Sequence, residues 1–256
     1  MRRERWPPTS TSRSTSPPQF DDAIIAEIER RGGTYNPEEQ SAIFPFPAYD
    51  HAAITDIRFL KGATFLKELH ISFHKITDIS PLSNLTSLEK LDLGFNRIRE
   101  AGPLAGLTSL KYLDIGGNEI VVLEPLVGLT SLEHLDISNN EAGRGYKYRD
   151  ENGDMQAAPR TDGPMITDLR PLANLKNLKI LLAHRNHIKD LRPLVALNSL
   201  ETLRIDSNRI DDLSPLAELK PLKQLNVDDN EIVDVGALID LKARYGVLEL
   251  AYLGSN

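Results

Sequence analysis

The stretch LTSLEKLDLGFNRI at residues 85–98 returns 22 residues later as LTSLKYLDIGGNEI and 22 after that as LTSLEHLDISNN. A fold with one copy of each element has no use for such repetition, so the repeat is itself the architecture. Like units stack, and each covers the apolar side of its neighbour. Full units begin at residues 63, 85, 107, 129, 175, 197 and 219, after a partial unit ending ITDIRFLKG. Within a unit, apolar residues recur at positions 4, 7, 9, 14, 17 and 20; in the unit at 85 these are Leu88, Leu91, Leu93, Ile98, Ala101 and Leu104.

Positions 7 and 9 alternate with polar neighbours, the period of a half-buried strand. One short strand per unit, near KLDL, predicts a parallel sheet with strands about 4.8 Å apart. Position 12 is Asn96, Asn118, Asn140, Asn186, Asn208 and Asn230, with His74 the departure. An amide turned inward at a bend satisfies backbone groups that the bend leaves unpaired, and stacked amides form a ladder. Position 19 is proline in six units (Pro81, Pro103, Pro125, Pro171, Pro193 and Pro215), which predicts a single helical or 3₁₀ turn on the outer side.

The flanking segments differ. Residues 1–19, basic and rich in Ser, Thr and Pro, have only Trp6 as a large apolar group and are expected to stay disordered. Residues 20–53 are expected to form a helical cap over the apolar end of the stack. Phe20, Ile24 and Ile28 share a helical face, and Asn36, Pro37 and Glu39 provide start signals for a second short helix before about residue 46. Repeats fill 54–240, broken by an insertion at about 141–165, and 241–256 form a C-terminal cap near GVLELAYLGS.

ITDISPLSNLTSL (76–88) resembles the 22-residue leucine-rich repeat of bacterial internalins, a subclass shared with the leucine-rich regulatory subunit of protein phosphatase-1. The resemblance spans roughly 54–240. It implies an α/β fold, a leucine-rich-repeat solenoid or horseshoe with short parallel strands on the concave face and 3₁₀ turns on the convex face. It also implies protein partners bound at the concave face. A phosphatase-regulatory scaffold follows from the subclass alone.

The outward strand positions 6, 8 and 10 can be read from the register. Asp92, Asp114 and Asp136 fall on adjacent strands, where a basic partner or cation would relieve their repulsion unless water does. Gly94 and Gly116 beside them lower the relief and open the backbone to a partner. Ile180 and Leu182 break the polar rule, and a large apolar pair on a solvent face calls for a cover. Two covers fit. One is a partner anchored near Phe73, Phe95 and Tyr112. The other is the insertion, which sets the units at 129 and 175 apart by 24 residues more than the repeat and carries Tyr146, Tyr148, Met155 and Met165. Phe95, Tyr112, Asp92, Asp114, Asp136, Ile180, Leu182, His184 and Arg204 are the candidate partner contacts.

Catalytic chemistry is not signalled. There is no cysteine, so neither a thiolate nucleophile nor a thiolate metal site is possible. Asp150, Asn152 and Asp154 open like a calcium loop, but Met155 and Thr161 stand where glycine and glutamate belong. His70, His74, His184 and His187 lack metal-ligand spacing and are expected at surface or turn sites. No cofactor, metal or enzyme activity is expected. A net charge of −7 argues against nucleic acid and anionic membrane as partners. No long apolar run or leader is readable, so a cytoplasmic monomer is expected, or an exported one if a leader lies upstream. A calcium- or carbohydrate-dependent binder and a plain structural spacer are the alternative readings.

Overall fold

The computed structural model describes residues 18–47, 52–140, 148–149, 155–156, 164–234, 236 and 239. Helix α1 (Pro18–Arg30) leads into an antiparallel hairpin, β1 (Thr34–Asn36) and β2 (Ser41–Ile43). The repeats add β3 (Glu68–His70), β4 (Lys90–Asp92), β5 (Tyr112–Asp114) and β6 (His134–Asp136). Two short strands inside the insertion, β7 (Tyr148–Arg149) and β8 (Met155–Gln156), pair with each other as a separate antiparallel hairpin among the described residues. The array resumes with β9 (Ile180–Leu182), β10 (Thr202–Arg204) and β11 (Gln224–Asn226). The main sheet runs β1-β2-β3-β4-β5-β6-β9-β10-β11 and is parallel from β2 onward. This is the expected α/β solenoid.

Each strand is three residues long because only its middle residue and the one past its end turn inward. Leu91 and Leu93, Leu113 and Ile115, and Leu135 and Ile137 are all fully buried, and they belong to one continuous leucine and isoleucine core. The return runs through the proline-started 3₁₀ turns Ser80–Leu82, Gly102–Leu104, Glu124–Leu126, Arg170–Leu172, Arg192–Leu194 and Ser214–Glu218.

The asparagine ladder forms as expected. Asn118 donates through Nδ2 to the Leu93, Ile115 and Gly116 carbonyls at 3.0, 3.1 and 3.2 Å, and its Oδ1 accepts the Ile98 N–H at 3.0 Å. Asn96, Asn140, Asn208 and Asn230 repeat this pattern. His74 takes the same place, buried, with Nδ1 accepting the Ile54 N–H at 3.1 Å, so it is an internal turn residue and not a surface histidine. At Asn186 the ladder is incomplete. Its amide donates to Ile137, but Oδ1 has no partner, at the place where the insertion interrupts the preceding unit.

Beside the strands runs a column of alternating sign: Lys67, Glu89, Lys111, Glu133, Lys179, Glu201, Lys223. Lys111–Glu89, Lys179–Glu133 and Lys223–Glu201 close at 2.6, 2.6 and 2.7 Å. The alternation crosses the insertion without a break.

The N-terminal cap departs from expectation: among the described residues it has one helix, not two. Asn36 uses its capping chemistry in a turn, with Oδ1 accepting the Glu38 and Glu39 N–H groups at 3.0 and 3.4 Å. The chain then extends into β2, which pairs with β3 and buries Ala42 and Phe44. The open edge of β3 needs hydrogen-bond partners that a helix cannot offer, and that need decides the outcome. The tail 1–17, most of the insertion including Tyr146, Asp150, Asn152 and Asp154, and the C-terminal cap 241–256 lie outside the described residues.

Candidate interaction surface

The parallel register sets outward side chains in two columns. One runs Glu68, Lys90, Tyr112, His134, Ile180, Thr202, Gln224; the other runs His70, Asp92, Asp114, Asp136, Leu182, Arg204, Asn226. Seven of the nine candidate contacts therefore share one face of β4 to β10, with His184 just past β9. In its centre Tyr112 stacks on His134, centroids 4.5 Å apart, with Ile180 next in register. Alongside lie Asp114, Asp136 and Leu182. Ile180 and Leu182 are half-buried. Met165 is half-buried too, and the side chains of Tyr146, Tyr148 and Met155 lie outside the described residues.

The three aspartates differ because their neighbours differ. Each folds its Oδ1 back onto the N–H two residues on: Asp92 to Gly94, Asp114 to Gly116 and Asp136 to Ser138, at 3.0, 2.8 and 2.8 Å. Burial pushes Asp92 up, but His70, the Gly94 N–H and Ser72 outweigh it and hold the carboxyl below the usual range. Asp114 has no such cation among the described residues. Burial, reinforced by the Asp136 and Asp92 charges, pushes it up to about 7 against the opposing Gly116 N–H. Burial, with the same carboxylates, raises Tyr112 to about 12, so its hydroxyl stays protonated. Burial lowers His134 and His184, partly offset by Asp136 at the first and by Asp206 and Asp136 at the second. His70 is raised, first by its hydrogen bond to Asp92.

Gly94 and Gly116 serve a different purpose from the expected one. A Cβ on Gly94 would lie 3.1 Å from the Asp114 carboxylate, and one on Gly116 would lie 2.8 Å from that of Asp136. The space over each glycine is filled by the next strand's aspartate, so it is not open to a partner's backbone.

Phe95 is the candidate that stands apart. It lies past its strand, stacked on Phe73 at 4.4 Å with the rings 6° from parallel, and Phe73 meets Phe46 edge-on at 5.0 Å. Arg204 is exposed, 3.7 Å from Asp206. Sequence reasoning missed His134 and Phe46 as contacts. His134 was legible from the register beside Tyr112, whereas Phe46 sits outside the repeats and is aligned only by the β2–β3 pairing. Among the described residues no group of three or more His, Asp or Glu side chains could hold a metal ion, and no helix is long and apolar enough to cross a membrane.

A family model for leucine-rich repeats in two copies matches residues 64–108, 86–121 and 108–142. An internalin, inlF, from Listeria monocytogenes str. 4b F2365 has a similar structure, with a TM-score of 0.54 and 28% identity over 93% of this chain and 75% of that one. The chain carries leucine-rich repeats of internalin-like type. Internalin C2 (inlC2) of the same strain aligns with a TM-score of 0.54 and 26% identity, over 91% of this chain and 92% of its own. No curated protein matches by sequence. A leucine-rich-repeat protein of this type is a protein-interaction scaffold, and its family is generally non-enzymatic.

Proposed function

We propose that this internalin-like protein is a non-catalytic recognition module that binds a protein partner on the concave face across β4 to β10. One observation carries the reading. The Tyr112–His134–Ile180 column lies in register beside Asp114, Asp136 and Leu182, an apolar and aromatic strip against a charged one. An apolar centre with a polar border is how protein interfaces are built. The side chains stand on the rigid strands of a repeat array, which favours shape recognition over the enclosed, water-free pocket that catalysis needs. The proposed working form is a cytoplasmic monomer, a setting that suits a chain without cysteine.

Affinity capture from the native lysate tests this, comparing wild type with the variant Tyr112→Glu, Ile180→Glu, Leu182→Glu after both pass a folding check by circular dichroism. A protein held by wild type and lost by the folded variant supports the concave site. Identical capture by both baits would turn attention to the convex face or to a spacer role.

A further inference from the structure

His74 stands where the other full units place asparagine, at the N-terminal end of the ladder. The exchange keeps one half of the asparagine's chemistry. Nδ1 of the ring accepts the Ile54 N–H at 3.1 Å, as the Asn96 amide oxygen accepts the Ile76 N–H at 3.1 Å. The other half is lost. An acceptor Nδ1 leaves the neutral ring's proton on Nε2, and Nε2 is buried with no hydrogen-bond partner among the described residues. The Asn96 amide donates instead to the Ile71, Leu93 and Gly94 carbonyls. Asparagine does not titrate, whereas an imidazole changes charge near neutral pH. A second proton on the His74 ring sits on Nδ1, so a donor faces the donor of Ile54 and their bond is lost. The resulting cation is 6% exposed, an unfavourable place for an unpaired charge. Burial accordingly holds the ring's proton affinity below its ordinary value of 6.5.

The charged groups of the surrounding elements do not compensate. In the partial unit before His74, Asp56 is closed on Arg58 at 2.6 Å. On β3 and β4 the pairs Glu68–Lys90 and His70–Asp92, at 2.7 and 3.7 Å, stand on the outward face. At the outer turn Asp78 accepts the Ser80 N–H at 2.8 Å. Lys75 follows His74 in the chain and Arg97 follows Asn96, and both are cations. Asp50 and His51 lie outside the described residues.

The bond to Ile54 holds the seat of the N-terminal cap. The Ile54 carbonyl accepts the Lys75 N–H at 3.0 Å, so Ile54 joins the array through both of its backbone groups. Ile54, Ile57 and Leu60 are buried, and α1 rests on this unit. Arg31 donates to the Asp56 carbonyl at 3.2 Å and lies over the Phe59 ring, which Phe44 meets edge-on.

We propose that His74 is an acid-sensitive latch: a second proton on its ring releases Ile54 and the partial unit around it, and with that unit α1, while the asparagine-held units from β4 onward stay in place. The latch is independent of the concave-face reading. Its sign follows from burial. Below the ordinary 6.5 the open form binds a proton that the closed ring resists. The opening equilibrium therefore rises by up to about tenfold for each pH unit, until the ring's own lowered value is passed. Above 6.5 the latch is closed and insensitive to pH. His70 works in the opposite sense, since its hydrogen bond to Asp92 raises its proton affinity and favours the folded unit in acid.

Hydrogen–deuterium exchange of the full chain tests this, read by mass spectrometry at pH 7.5, 6.0 and 5.0 and corrected for the intrinsic pH dependence of exchange. Peptides covering 18–31 and 52–62 are expected to lose protection below pH 6.5 in the wild type, while those covering 85–140 keep theirs. His74→Asn places in this unit the residue that the others already carry, leaves His70 untouched and is expected to hold protection at every pH. A loss that persists in His74→Asn, a loss spread evenly over the array, or no loss at all would overturn the proposal. If that variant does not fold, NMR titration of the His74 ring in the wild type decides. A ring that takes its proton at or above 6.5 overturns the latch, and one that takes it below 6.5, together with the loss at 52–62, supports it.

Discussion

Asp114 shows how one position in a repeat acquires properties its twins lack. Its folded pKa of about 7 lies above the ordinary 3.8, so between those values the folded chain holds a proton that the unfolded chain has released. Its contribution to stability is therefore complete below about pH 4, declines as pH rises to about 7 and is flat beyond. Asp114→Asn mimics the protonated form. We predict that it stabilises the protein at pH 8 by on the order of 2–4 kcal/mol and has almost no effect at pH 4. Urea denaturation of both proteins at pH 4, 6 and 8 decides it, since a pH-independent difference contradicts the assignment. The buried amides permit a second comparison at this scale. Asn118→Ala strands the Ile98 N–H and three carbonyls, for a predicted loss of about 2–4 kcal/mol. Asn186→Ala should lose less, because Oδ1 there has no partner to forfeit. Equal losses would mean that the acceptor bond contributes nothing.

Among the elements, the insertion is the most instructive. Strands β6 and β9 pair directly across it, and Glu133 bridges Lys179 as neighbouring units do elsewhere. Residues 142–165 can thus be removed on paper to leave a regular unit, with Glu141 joined to Ile166. We predict that this deletion folds, melts at a higher temperature and supplies the Asn186 Oδ1 with the Ile166 N–H, as Ile98 supplies Asn118. A calorimetric melt below that of wild type would show that the insertion supports the array. The repeats were legible in the sequence because period alone fixes register, and register alone puts Tyr112, His134 and Ile180 in a row. The hairpin was not, because Asn36, Pro37 and Glu39 carry start signals that a turn uses as well as a helix does. What chose between them was the open edge of β3, a partner 27 residues away by pairing. The row of Phe46, Phe73 and Phe95 was half legible. Phe73 and Phe95 stood out as aromatics, but their direction depends on a left-handed turn residue, and Phe46 joins them only through the hairpin.

Among the described residues the array is close to one-dimensional, each unit touching its neighbours in the stack, and stability should follow that geometry. Leu113 and Leu225 are equivalent core residues, 0% and 2% exposed, but β5 has a strand on each side whereas β11 has only β10 among the described residues. Leu113→Ala is predicted to cost about 2–5 kcal/mol, and Leu225→Ala clearly less. Guanidinium unfolding measures both, and equal costs would contradict nearest-neighbour behaviour. The alternating column carries a consequence of another kind. Each unit looks 22 residues long by its leucines, but by its charges the true period is two units. Loss or duplication of a single turn sets lysine beside lysine or glutamate beside glutamate, whereas a change by a pair leaves every junction matched. The array therefore has a parity, and internal changes by an even number of turns are the ones its charge column mildly favours.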